Sequence, residues 1–260
     1  MQISLTPQNK IYSFYVNKKR KINVKIIIIL CVIFIVTISM LSLSLKNNYK
    51  TDFFDAKSYF MVSIYKTQNI SQVENMQLKV EDIGGAGYKY LSGKDYYIVA
   101  RAYLSKADAD SVVSKNKKDY PDCKTIEVSS KKIERSIKRE IEQNDYLFRA
   151  YKQLSQIPID LYNISISYDE GKISEREVYT KMVEQKTILS EYYAWISGEQ
   201  KLKDSPLHTL FLTHIAIYID DIEFSLNEQY RNDPLDLSLK LVSVKLCLDE
   251  IAFKNAINNC

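Results

Sequence analysis

The hydrophobic pattern divides this chain into three stretches of different period. Ile26 to Leu45 has no period: IIIILCVIFIVTISMLSLSL runs without a charge, a glycine or a proline. A helix of that length reaches about 30 Å, the thickness of a hydrocarbon core, so the run predicts a transmembrane helix over 26–45. After a polar linker, 46–57, strand and helix periods alternate. Tyr59–Tyr65 is aromatic and β-branched and predicts a strand. Ser71 and Glu74 have capping-box spacing, and Val73, Met76, Val80 and Ile83 recur as one helical stripe that Gly84 and Gly85 end. Gly87–Leu91 reads as a short strand, Ser92–Asp95 as a turn and Tyr96–Tyr103 as a further strand. Ser105 opens a second helix carrying Ala109, Val112 and Val113, and Thr125–Val128 makes the last strand. The order is βαββαβ, and an offset of 37 residues lays Tyr59–Val62 on Tyr96–Val99. Such a split repeat predicts a four-stranded antiparallel sheet with two helices on one face and the other face open.

From Ser130 the strand signals nearly vanish. Ile133, Ile137, Ile141, Phe148 and Tyr151 share a helical face, with a break or restart expected at Pro158. Ser174 and Glu177 repeat the capping-box spacing ahead of Val178, Met182, Leu189, Tyr192 and Ile196. Pro206 suits a first helical turn, and Leu207–Ile219 is apolar on most sides. That run is too short and polar to span a bilayer, so it predicts a central buried helix. Leu235, Leu237, Leu239 and Leu241 alternate like a strand, while Leu235, Leu239, Val242, Leu246 and Phe253 fit a helix. The absence of glycine and turn residues favours the helix. The expected fold is therefore α+β: a single transmembrane helix, a small βαββαβ domain over 58–128, and an all-α helical bundle over 130–260.

Charge sharpens this division. Residues 1–45 hold six basic side chains and no acidic one, whereas the remainder is net −2. Lys10, Lys18, Lys19, Arg20, Lys21 and Lys25 all precede the hydrophobic run, so the tail 1–25 is expected inside the cell and residues 46–260 outside. The run exceeds the ~7–15 residues of a signal-peptide core, which favours an uncleaved cell-membrane anchor over a cleaved leader. A chain with no cationic footprint over its bulk is a poor candidate for nucleic acid. Heavy use of Ile, Lys, Asn and Tyr fits AT-rich coding, as in a bacterium of low genomic GC.

Residue chemistry gives little support to an enzyme. Gly84-Gly85-Ala86-Gly87 lacks the Gly-Lys-Ser/Thr that a phosphate loop needs. His208 and His214 are six apart, not the four that places two zinc ligands on one helix face, and no third ligand accompanies Asp220, Asp221 and Glu223. Cys31 falls in the hydrophobic run, leaving Cys123, Cys247 and Cys260, an odd number with no metal-binding spacing. No catalytic residue, metal or cofactor is expected.

The strands Tyr59–Tyr65 and Tyr96–Tyr103, the turn Tyr103-Leu104-Ser105 followed by Ala109, and the approach Gly84-Gly85-Ala86-Gly87-Tyr88 resemble the SPOR domain, the bacterial sporulation and cell-division repeat. The likeness covers residues 58–128, and Ser63 and Arg101 stand where that family often has a small residue. It implies binding to peptidoglycan glycan strands through the open sheet face, in cell division or sporulation. If Phe60, Val62, Ile98 and Ala100 face the helices, alternation puts Met61, Tyr97, Val99 and Arg101 on the open face, with Tyr88 completing the surface. Aromatic rings there would stack on sugars and Arg101 would donate to their oxygens. The alternative expectation is an extracytoplasmic adaptor that no longer binds glycan and meets an envelope protein through its helical bundle.

Overall fold

In the computed structural model the described residues are 53–199, 205–227 and 234–260. Strand β1 (Ser58–Thr67) leads through one 3-10 turn, Ile70–Gln72, into helix α1 (Val73–Asp82). β2 (Tyr88–Ser92) and β3 (Asp95–Tyr103) form a hairpin, and α2 (Lys106–Asn116) connects to β4 (Lys124–Ser129). Helices α3 (Arg135–Gln143), α4 (Asp145–Asp169), α5 (Glu175–Gly198), α6 (Pro206–Leu226) and α7 (Leu235–Ile257) follow. The sheet is antiparallel throughout, in the order β2-β3-β1-β4.

Two features of the sheet come from single residues. Between β1 and β3 the pairing steps from Val62↔Arg101 to Ser63↔Val99 to Tyr65↔Ile98, so Ala100 and Ile64 are bulged. A bulge frees ladder carbonyls. The buried Ser63 hydroxyl donates to the carbonyls of Tyr65 (2.9 Å) and Ile98 (3.2 Å), which supplies partners there. The loop after α1 presses on the same place: a Cβ on Gly85 would sit 2.8 Å from the Ala100 Cβ, and Gly84 has φ +80°. Only glycine fits both demands, one for space and one for backbone hand.

Val62, Ile64 and Ile98 pack with Val73, Val80 and Ala109 of α1 and α2 on one face of the sheet. On the other face Tyr59, Met61, Val99 and Ala102 pack under Val244, Cys247 and Ile251 of α7. The opposite side of α7 contributes Leu239, Val242, Leu246 and Phe253 to a third core, shared with α4, α5 and α6. A helix with two apolar sides needs a partner on each, and α7 lies between sheet and bundle.

The expected architecture is thereby corrected. It placed a transmembrane helix ahead of a sheet with one open face; instead the described residues form an α+β unit whose second sheet face is closed by the last helix. No helix among the described residues is long and apolar enough to cross a membrane. The run Ile26–Leu45, the tail 1–25 and linker residues 46–52 lie outside the described residues. Residues 52–260 make one compact unit, with sheet and helices sharing α7.

Three local expectations also change. The break in the first long helix falls at Asn144, whose side chain caps α4 by accepting from the Leu147 amide (3.0 Å), and α4 runs unbroken through the buried Pro158. Proline costs one helical bond, to the carbonyl four residues back, and packing of its ring on the core offsets that loss. Ser71 does not cap α1. Asn69 caps the preceding 3-10 turn, accepting from the Ser71 amide (3.0 Å), whereas the Ser174–Glu177 capping box does form on α5. The end of the expected linker is core: Phe54 is buried, stacked 4.7 Å from Tyr151, and its carbonyl accepts from the Ile133 amide (2.8 Å).

Candidate interaction surface on the sheet

Of the five residues expected on an open sheet face, Met61 and Val99 are fully buried beneath α7. Burial of each such side chain contributes about 1.5–3 kcal/mol, which commits these two to the core rather than to a ligand. Tyr88 is half-buried against the same helix. Its hydroxyl is pushed above the ordinary tyrosine range by burial and then by the nearby Asp249 carboxylate.

Arg101 faces elsewhere because of the bulge. Strict alternation would align it with Val99, but with Ala100 bulged it pairs opposite Val62 and lines a cleft on the α1–α2 side. Its guanidinium is held by α4, donating to the Ser165 hydroxyl (2.8 Å) and to the Asp169 carboxylate (2.5 Å). Asp169 also pairs with Lys240 of α7 (3.3 Å). Arg101 thus ties β3 to the helical part and is not displayed to solvent.

Tyr97, like Arg101, stands outside the cluster that α7 covers. Lys124 lies 4.3 Å and Lys66 5.8 Å from its ring centroid, and Lys124 also donates to its hydroxyl (3.2 Å). Asp95 accepts from Lys66 (2.7 Å) and from the Tyr97 hydroxyl (3.2 Å), and these partners hold the Asp95 carboxyl below its ordinary range, Lys66 first. The ring is 8% exposed, because the lysine stems cover it. This tyrosine between two ammonium groups is the one remnant of the expected surface. Sequence periodicity could not supply the two lysines, since they come from other strands through cross-strand pairing.

Beneath α7 the polar groups form two buried sets. Glu250 accepts from Lys57 (3.2 Å) and from the Tyr59 hydroxyl, while Lys57 also donates to the Ser155 carbonyl (3.0 Å). Burial, then the Glu250 charge, raises the Tyr59 hydroxyl well above its usual range. In the second set Lys245 donates to Asp221, and one carboxylate oxygen each of Asp221 and Asp249 is buried without a hydrogen-bond partner. Burial, then the Asp221 charge, pushes Asp249 up to about 6.

Two clefts are formed by described residues. One, about 190 Å³, is floored by Val62, Ile64, Gly85 and Ala100; the other, about 320 Å³, is lined by Asp160, Ile164, Lys181, Glu184 and Gln185 between α4 and α5. Both histidines lie in α6 away from them. His208 bonds the Ile196 carbonyl (2.8 Å), and His214, which burial lowers to about 4, packs 4.6 Å from Phe253. No group of three or more His, Cys, Asp or Glu among the described residues is arranged to hold a metal ion, and Cys123, Cys247 and Cys260 are free thiols.

Compared with known proteins, the chain matches no family model, no curated protein and no solved structure. The likeness to the SPOR domain therefore rests on the strands, the turn and the glycine approach quoted above.

Proposed function

We propose that this chain is a non-enzymatic adaptor of the bacterial cell envelope, held at the membrane on its extracytoplasmic side, whose SPOR-like sheet serves as scaffold and not as a glycan platform. The observation that carries this reading is α7 lying across the sheet, with Met61 and Val99 fully buried beneath it. A glycan strand would have to displace a helix that is also part of the bundle core, at a cost of several buried side chains. Location outside the cytoplasm is supported by the hydrophobic run Ile26–Leu45 and the basic residues that precede it. The partner is an envelope protein that meets the helical part.

A second reading, peptidoglycan binding at the uncovered end of the sheet, is favoured by Tyr97 between Lys66 and Lys124. Co-sedimentation of the full chain, in mild detergent, with purified sacculi separates the two. The adaptor reading expects the chain to stay in the supernatant. Sedimentation that Tyr97→Ala and Lys124→Ala both abolish hands the site to glycan. For location, protease added to intact cells should remove residues after Lys46; a resistant chain would place the protein inside.

A further inference from the structure

The only tryptophan of the chain is on the surface. Trp195, near the end of α5, is 45% exposed and lies 5.9 Å from Tyr146, itself 40% exposed, on the first turn of α4. Tyr192 completes the group edge-on, 5.4 Å from the indole. Tyr192 packs on the bundle core, but the outer sides of Tyr146 and Trp195 leave a contiguous apolar patch in water, and such a patch marks a contact. Each ring has an apolar body with one polar atom, the composition that settles between hydrocarbon and water at a membrane surface.

The path of the chain says what covers it. Phe53 and Phe54 enter the bundle at this same end: Tyr151 donates to the Phe53 carbonyl (2.9 Å), and Phe54 stacks 6.3 Å from Phe148. Phe148 is two residues after Tyr146, a rise of about 3 Å along α4 and a turn of about 200° around it, so the two rings share the first turns of α4 on opposite sides. The hydrophobic run ends at Leu45, eight residues before Phe53, which allows at most about 28 Å between them. A bilayer that receives that run therefore lies within reach of this end of the bundle. A cation stands on the Phe148 side of the same turns: Lys152 lies over the rings of Phe53 and Phe148, which suits anionic headgroups, while Lys138, over Phe54, is paired with Glu142 (3.9 Å).

We infer that Tyr146, Tyr192 and Trp195 seat on the headgroup region of the bilayer and fix how the folded unit stands on the membrane. This rests on the membrane-held reading above, and the two can fail separately. Because Trp195 is the sole indole, its fluorescence reports this site alone.

The full chain is reconstituted in vesicles of phosphatidylcholine and phosphatidylglycerol, three to one, carrying a nitroxide either near the headgroup or deep in the acyl chain. The shallow label should quench Trp195 several-fold more than the deep one, with reduced quenching by aqueous acrylamide. Tyr146→Glu should weaken the shallow quenching while the thermal unfolding curve is unchanged. A chain that floats with the vesicles, yet whose Trp195 ignores both lipid labels and stays open to acrylamide, overturns the seating alone. Protection that follows the protein-to-lipid ratio instead of the label assigns the patch to a second copy and also overturns it. A chain that does not float overturns the seating and the membrane-held reading together.

Discussion

The two faces of the sheet are covered by helices of very different origin. α1 and α2 belong to the βαββαβ unit itself, so the strands and the helices on them lie within one stretch of 72 residues, Ser58–Ser129. The other face waits for α7, the last helix of the chain. Alternation along Tyr59–Tyr65 and Tyr96–Tyr103 says which residues share a face in either case. It carries no information about whether that face meets water or a helix from the far end of the chain, because burial on both sides and burial on one leave the same period of two. An apparently open face is a statement about local sequence only.

The most direct way to break the comparison is to charge both faces. Ile98 faces α1 and α2 and Val99 faces α7, and both are fully buried. Ile98→Asp and Val99→Asp should each destabilise the fold by about 4 kcal/mol or more, since either buries an unpaired carboxylate. Urea unfolding followed by circular dichroism reads both. If Val99→Asp is tolerated while Ile98→Asp is not, α7 does not close the face in solution.

Next in size is the buried ion pair on the α7 side. Glu250→Ala leaves the Lys57 ammonium without its carboxylate and the Tyr59 hydroxyl without an acceptor, and should cost about 3 kcal/mol. Replacing both charged partners, Lys57→Met with Glu250→Leu, should recover most of that loss. A double variant as unstable as the single one would mean that packing, not the stranded charge, sets the cost.

The Asp221–Asp249 pair sharpens the same side through pH. The Asp249 carboxyl titrates near 6 in the fold, above its ordinary value of 3.8, so the folded state holds more protons across that interval. Stability contributed by this group is thus greatest below about pH 4 and is lost as pH rises through 6, the reverse of a salt-bridged carboxylate. Asp249→Asn should be about 1 kcal/mol more stable than the parent at pH 7, allowing for solvent screening of a half-buried group, and nearly equal to it at pH 4. Equal stabilities at both pH values would remove the coupling.

Much of the βαββαβ order was legible because each of its elements has a local signature: β-branched runs, a Ser105 cap, glycines at Gly84 and Gly85. The candidate site was not. Ala100 carries no sign in the sequence that it is bulged, so strict alternation puts Arg101 on the face of Val99 whereas the bulge turns it to that of Val62. The stripe Leu235, Leu239, Val242, Leu246 and Phe253 is one side of α7, while Leu241, Val244, Cys247, Leu248 and Ile251 form a second apolar side that a single helical stripe does not account for. A helix with two apolar sides needs two partners, and that count was the available signal for a covered sheet.

Local signatures themselves are not all equal, and the two capping-box spacings give the smallest test. At α5 the Ser174 hydroxyl accepts from the Glu177 amide (3.3 Å), and the Glu177 carboxylate accepts from the Ser174 amide (2.7 Å), which holds that carboxyl below its ordinary range. At α1 the same spacing, Ser71 and Glu74, is pre-empted. Asn69 reaches the Ser71 amide first, and the Ser71 hydroxyl donates back to Asn69 (2.8 Å). A side chain that accepts from an otherwise orphan amide is worth about 1 kcal/mol, whereas an exposed hydroxyl donating to a carboxamide adds little. Ser174→Ala should therefore lower stability by about 1 kcal/mol and Ser71→Ala by only a few tenths, with Asn69→Ala costing more than Ser71→Ala. Thermal melts of the three variants rank them. If Ser71→Ala is as costly as Ser174→Ala, the box forms at α1 after all, and the turn Ile70–Gln72 must open into the helix to admit it.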